Sequence, residues 1–346
     1  MPDLYPLARK LLFTLDAETA HHTTLSMMSA AKSCGVLSLV AGPPLQLRQE
    51  SRTVEVMGLK FPNRVGLAAG LDKAGTVVGA FGDVGFGHIE IGTVTPRPQS
   101  GNNKPRLFRL KEHHAVINRM GFNNPGIEGV LQNLKHSRKD FAGILGINIG
   151  KNKDTPNEDY LEDYLTCFEG VYGAADYVTA NLSSPNTAGL RDLQSAETCS
   201  ELIKRLQEKR EELKTRFDNK HVPIVIKIAP DLSDDAIKSL AFTFSNSGVD
   251  GVITTNTTID RDTVSRHPLA DETGGLSGKP LTEKATEVLS LLRSEMNSEI
   301  PIIGSGGVMS GSDAKAKVDA GASLVQVYSG LIYSGPALVH KILEAL

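Results

Sequence analysis

Near the amino end of the chain Leu4, Leu7, Ala8, Leu11, Leu12 and Leu15 recur at alternating steps of three and one, which lays them on one face of a helix. The spacing predicts an amphipathic first helix. Ala20, Thr24, Met27, Met28 and Ala31 give a weaker second stripe, with Asp16 or Thr19 as its start, Gly35 as its stop and Pro43-Pro44 closing the pair. After the stretch through Phe61-Pro62-Asn63 the pattern changes to short apolar runs, each followed by a polar or glycine-rich cluster. Eight such runs occur, at residues 65–69, 89–94, 144–149, 177–180, 224–228, 252–255, 301–304 and 324–328. Helices are predicted between them at 158–175, 196–216, 233–246, 282–293 and 313–320; Ser233 before Asp234-Asp235 is a start signal and Gly321 a stop.

Eight strands alternating with helices in 346 residues predict an α/β fold, a (β/α)8 TIM barrel with a small N-terminal helical extension, ahead of a doubly wound sheet. The expected division is a helical pair over 1–44 and a barrel domain over 45–346. Barrels of this kind place their active sites at the C-terminal strand ends. Those ends are Asp72-Lys73, Thr93, Asn148, Asn181 through Asn186, Lys227, Asn256-Thr257, Gly306-Gly307 and Tyr328-Ser329. Two lysines and several asparagines on one mouth suit an anionic, planar ligand rich in hydrogen-bonding groups. Gly304-Ser305-Gly306-Gly307 and Tyr328-Ser329-Gly330 follow the last two strands, the customary phosphate position of the fold. The long segment 96–124 is expected to be a functional cover, with Asn118 beside groups that a carboxylate ligand needs.

The densest cluster is Asn181-Leu182-Ser183-Ser184-Pro185-Asn186-Thr187. Its asparagines each offer a donor and an acceptor, and Pro185 stiffens the backbone that carries the Ser184 hydroxyl. An ordinary strand-to-loop turn would also use these residue types.

Composition narrows the function further. A formal net charge of -3 with no accumulated basic tract argues against nucleic acid as a partner. Cys34, Cys167 and Cys199 are odd in number and lack the short spacing of a metal knuckle, so no metal is expected and a reduced, intracellular compartment fits. The chain has no apolar run of about 18 residues that could span a bilayer, and no signal-peptide core. In the N-terminal unit Asp3, Asp16 and Glu18 balance Arg9, Lys10 and Lys32, so any attraction to lipid would be mainly hydrophobic. The pair is compatible with simple packing on the main domain and with a surface that dips into lipid.

Six segments, in order, carry a resemblance: Ala69-Gly70-Leu71-Asp72-Lys73, Gly92-Thr93-Val94-Thr95-Pro96, Asn118 through Phe122, Gly146-Ile147-Asn148-Ile149-Gly150, Asn181 through Asn186, and Gly274-Gly275-Leu276-Ser277-Gly278. On these, residues 45–346 resemble the dihydroorotate dehydrogenases, and the N-terminal pair resembles the extension of their quinone-dependent, membrane-associated class. The resemblance implies FMN as cofactor, held by Ala69, Gly70, Leu71, Asp72, Lys73, Thr93, Asn148, Asn181, Lys227, Thr255, Gly278, Gly307, Tyr328 and Ser329, with the phosphate on the last three. It implies dihydroorotate and orotate contacts at Lys73, Asn118, Arg119, Met120, Gly121, Phe122, Asn181, Asn186, Asn256 and Thr257. The catalytic base falls on Ser184, where the soluble class carries Cys. The implied activity is oxidation of dihydroorotate to orotate in pyrimidine biosynthesis, with a membrane quinone as final acceptor reached by a tunnel beside the helical pair. A monomer, peripheral on the cytoplasmic side of a bacterial inner membrane, is expected.

Serine is a weak base at its ordinary pKa, so Ser184 needs a proton relay through water or Thr187. Lys227 is expected to stabilise the reduced flavin, and Lys73 the ligand carboxylate or flavin carbonyls. The rivals are a soluble FMN enzyme using fumarate or NAD, a non-flavin barrel lyase or isomerase, and a non-catalytic membrane-peripheral binding protein. Ser184 argues against the first, and intact polar groups at the strand ends argue against the last.

Overall fold

The computed structural model describes residues 5–37, 52–187 and 189–346. Pro43-Pro44, and with it the expected boundary between 1–44 and 45–346, lies outside the described residues. The chain opens with α1 (Tyr5–Leu12) and α2 (Ala17–Ser33). Asp16 caps α2 by accepting from the Glu18 and Thr19 amides at 3.0 Å, and Gly35 follows it with a positive φ.

An antiparallel hairpin, β1 (Val54–Val56) and β2 (Leu59–Phe61), comes next. The barrel begins with β3 (Val65–Leu67) and β4 (His88–Val94), leaves its wall for β5 (Leu107–Leu110) and β6 (Ala115–Asn118), and resumes with β7 (Ile144–Ile149), β8 (Tyr177–Asn181), β9 (Ile224–Ile228) and β10 (Gly251–Thr254). After β11 (Gly275–Gly278), β12 (Ile302–Gly304) and β13 (Leu324–Val327) complete it. The closed order is β3-β4-β7-β8-β9-β10-β12-β13, so all eight predicted runs become parallel barrel strands. Helices α3 (Val78–Val84), α4 (Gly126–Ser137), α5 (Tyr160–Val171), α6 (Ala196–Arg216), α7 (Asp234–Ser247), α8 (Thr282–Glu295), α9 (Gly311–Asp319), α10 (Ser329–Ser334) and α11 (Ala337–Ala345) follow in chain order. The strands read as nearly continuous apolar runs because one face meets these helices and the other fills the barrel.

The barrel interior is layered. The hairpin closes its lower end: Val56 and Phe61 pack with Tyr177, Val225, Ile253, Ile303 and Leu324. Side chains alternate along a strand, so the layers above turn polar at Thr179 and Asn148, which are in register, and reach the mouth at Asn181 and Lys227, in register one step higher. Gly146 leaves the space that the Tyr177 ring fills, since a Cβ there would run into the phenol.

Segment 96–124 differs from a plain cover. Its Leu107-Phe108-Arg109-Leu110 and Ala115-Val116-Ile117-Asn118 stretches pair antiparallel, and β11 joins them to make a three-stranded sheet over the mouth. The N-terminal pair docks on this sheet. Helix α2 lies against β5 and α3, and α1 against α10. Glu18 and Arg106, both buried, join at 2.8 Å, and the Tyr5 hydroxyl donates to the Ile332 carbonyl at 2.6 Å. Arg109 and Lys111 donate to carbonyls at the end of α1, adding positive charge that the N-terminal segment alone does not carry. Leu7, Leu11 and Met27 remain 66%, 72% and 62% exposed, so the leucine stripe points outward.

Candidate active site

A cavity opens at the C-terminal strand ends, enclosing about 910 Å³ including the part continuous with solvent. That is ample for a cofactor-sized ligand. Nineteen of the residues named from the sequence line it. Ala69, Gly70, Lys73, Thr93, Lys227 and Thr255 do so from the first strand ends and the barrel floor; Gly278, Gly307, Tyr328 and Ser329 close one end. Asn118, Met120, Gly121, Phe122, Asn181, Ser184, Asn186, Asn256 and Thr257 surround the other.

Four of the named residues do not line the cavity. Leu71 is in the core. Asp72 faces away and accepts the Thr76 and Val77 amides at 2.8 Å, fixing the turn that leads to α3. Arg119 pairs with Glu272 and lies over the Phe108 ring at 4.6 Å. Asn148 stands one layer below, accepting from the Thr93 hydroxyl at 2.6 Å and from Asn181 at 3.2 Å.

From that layer a connected set of hydrogen bonds climbs to the mouth. The Asn181 amide group donates to Asn148 and Thr93, while its oxygen accepts from the Ser183 hydroxyl at 3.0 Å and from Asn256 at 3.3 Å. Asn186 donates to Asn118 at 3.2 Å. The Ser184 hydroxyl is buried and accepts the Asn186 amide at 3.2 Å. Among the described residues no hydrogen bond joins Ser184 to Thr187.

Two lysines supply positive charge. Lys73 donates to the Gly70 carbonyl at 2.7 Å; burial, aided by the Arg106 charge, pulls its pKa down to about 8 against the opposing Glu18 and Asp72. Lys227 makes no hydrogen bond among the described residues, and burial lowers its pKa while Glu90 opposes the shift. At the closed end Gly307 has φ +72, and a Cβ on it would collide with the Thr282 backbone, so only glycine brings the chain this close. Ser277 and Ser329 join through their hydroxyls at 2.8 Å beside it.

A family model for dihydroorotate dehydrogenase matches residues 51–346. A relative from Akkermansia muciniphila is 51% identical over 345 residues, covering 100% of this chain and 97% of its own. One from Flavobacterium lutescens is 53% identical over 343 residues, covering 99% and 96%. Both bear the name dihydroorotate dehydrogenase (quinone). The chain belongs to the dihydroorotate dehydrogenase family. The crystal structure of DHODH from Eimeria tenella in complex with ferulenol superposes with a TM-score of 0.87 at 38% identity, over 95% of this chain and 90% of that one. The chain is thus an oxidoreductase, and membership in the dihydroorotate dehydrogenase family implies a flavin.

The residues present fit such a group. Asn186 Oδ1, Thr257 Oγ1 and Gln326 Oε1 are buried without hydrogen-bond partners, and each belongs to a cavity-lining residue. Lys227 on the barrel floor, which has no hydrogen-bond partner among the described residues, and the glycine cradle at Gly307 complement a ligand with a polar ring and an anionic group. Sequence reasoning did not single out Leu281, Val308, Met309 or Gln326 as lining residues. Gln326 was within reach, as a polar residue inside a strand two positions before Tyr328 and hence on the same inward face.

Proposed function

We propose that the chain oxidises (S)-dihydroorotate to orotate with FMN and passes the electrons to a membrane quinone, in pyrimidine biosynthesis. The observation that carries this is the coincidence in one cavity of Ser184, the asparagine ring and Lys227 with the Gly307 cradle. Gly307, Tyr328 and Ser329 would hold the phosphate of FMN, and Ala69, Gly70, Thr93, Lys227, Thr255 and Gly278 would line its ring. When bound, the flavin supplies the two-electron oxidation by accepting the hydride from C6 of the substrate. Asn118, Asn186, Asn256 and Thr257 hold the planar substrate by its polar edge, and Lys73 attracts its carboxylate.

Ser184 takes the proton from C5. The Asn186 amide donating to its oxygen favours the more negative form that the hydroxyl adopts during that transfer. With no protein base hydrogen-bonded to Ser184 among the described residues, water is the favoured relay onward.

The two units act separately: residues 45–346 bind flavin and substrate, and residues 1–44 form the quinone entrance. Supporting this, burial, with smaller contributions from the Lys73 and His22 charges, lowers the pKa of His21 on α2 to about 3, coupling the helical pair to a lysine of the cavity. The outward leucines and the adjacent Arg109 and Lys111 suit a monomer resting peripherally on the cytoplasmic face of a bacterial inner membrane. No helix among the described residues is long and apolar enough to cross one.

The test is anaerobic mixing of the purified protein with dihydroorotate, following the flavin absorbance, for the native chain and Ser184→Ala. Native protein should bleach, and the variant should keep its flavin but bleach roughly 10²–10⁴-fold more slowly. A native protein without flavin, or a variant that bleaches at the native rate, contradicts the assignment.

A further inference from the structure

Glu90 lies in the middle of β4, fully buried and outside the cavity lining. Its carboxylate is the hub of the polar layer beneath the mouth. One oxygen accepts from Asn148 at 2.9 Å; the other accepts from Gln326 at 3.0 Å, from the Tyr177 hydroxyl at 3.0 Å and from the Thr179 hydroxyl at 3.1 Å. Four donors and no acceptor match the inventory of an ionised carboxylate, which only accepts. A charge buried this deeply requires both such bonds and a counter-ion. The opposing charge is Lys227, which lies in register with Asn181 in the same barrel interior and whose charged form Glu90 favours at a distance, without a direct ion pair among the described residues.

The direction of hydrogen bonding above Glu90 then follows step by step. Because Glu90 accepts, Asn148 must turn its NH₂ downward and its oxygen upward. That oxygen takes the Thr93 hydroxyl proton and one Asn181 N–H. Asn181 is left with its own oxygen toward Ser183 and Asn256, and the Asn256 oxygen accepts the Thr257 amide at 2.8 Å. Thr93, Asn181 and Asn256 all line the cavity.

We propose that Glu90 is a positioning residue for the reaction: through Asn148 it fixes which way Thr93, Asn181 and Asn256 present donors and acceptors, and it partly neutralises Lys227 beneath the flavin. This rests on the function proposed above. Removing the negative charge while keeping the shape leaves Lys227 uncompensated and favours the reduced, more negative flavin.

Glu90→Gln is therefore compared with the native protein for flavin midpoint potential and for orotate affinity. The expected result is retained flavin, a midpoint moved positive by about 30 mV, tenfold in the two-electron equilibrium, and orotate binding weakened by about tenfold through the misdirected network. The double variant Glu90→Gln, Gln326→Glu keeps the same pair of groups but moves the carboxylate to a residue lining the cavity. Its midpoint should return to the native value or fall below it, a reversal that a merely structural role would not produce.

A flavin-loaded Glu90→Gln protein with native potential and orotate affinity overturns the proposal. If that variant does not fold, the double variant decides: a midpoint above native overturns it. Failure of both to fold assigns Glu90 to barrel stability alone and overturns it too. A native protein that holds no flavin overturns the function itself, a distinguishable result.

Discussion

At the scale of single residues, Lys73 shows burial and function pulling in opposite directions. Burial disfavours its ammonium, so the folded protein gives up this proton near pH 8 whereas the unfolded chain keeps it to its ordinary 10.5. Between those values the unfolded state binds more protons, so this group's contribution to stability rises with pH across that window. Ligand attraction runs the other way, because only the charged form attracts a carboxylate. Orotate affinity should be level below about pH 8 and fall as pH rises through it, while Lys73→Met binds more weakly and without that inflection. Titrations of orotate binding from pH 6.5 to 9.5 check this; parallel profiles for the two proteins would remove Lys73 from the ligand site. The sequence made Lys73 and Lys227 legible because a lysine ending an apolar run has few structural uses. Asp72, read the same way, instead caps the turn into α3, a use that the sequence does not distinguish from ligand binding. Glu90 was not legible, because a charged residue between Ile89 and Ile91 looks the same whether it faces solvent or a polar barrel interior.

At the scale of elements, the barrel strands could be read from sequence because each is a buried run bounded by turn residues. The start of α2 at Asp16 and of α7 at Ser233 rests on local cap chemistry and was equally legible. The sheet of β5, β6 and β11 was not: its pairing brings Gly275 beside Asn118 across more than 150 residues, and no local pattern carries that distance. The docking of α2 is likewise non-local and turns on Glu18. Burial raises the Glu18 pKa, but hydrogen bonds and charge from Arg106 and Lys104 outweigh it and hold the group below its usual 4.5. Such a depressed carboxyl stabilises fully above its ordinary value and loses that contribution as pH falls through the lower folded one. Glu18→Gln leaves Arg106 buried without a counter-charge, at a cost of about 3 kcal/mol. Hydrogen exchange in α2 should accelerate at neutral pH in this variant, with the barrel strands unaffected. Native exchange throughout α2 would mean that the ion pair does not hold the helix down.

At the scale of the whole molecule, two features meet on one face: the cavity mouth and a helical pair whose leucines point outward. A barrel that used a soluble acceptor would have no need to seat an exposed apolar stripe there. Most of the large exposed apolar side chains among the described residues, Leu7, Leu11, Leu15, Met27 and Val36, belong to this small unit. Steady-state oxidation of dihydroorotate, assayed separately with a long-chain ubiquinone analogue in detergent, with fumarate and with NAD, distinguishes a quinone-linked enzyme from one with a soluble acceptor. Rapid turnover with the quinone and background rates with the other two are predicted. Turnover with fumarate or NAD that matches or exceeds the quinone rate would contradict a quinone-linked enzyme.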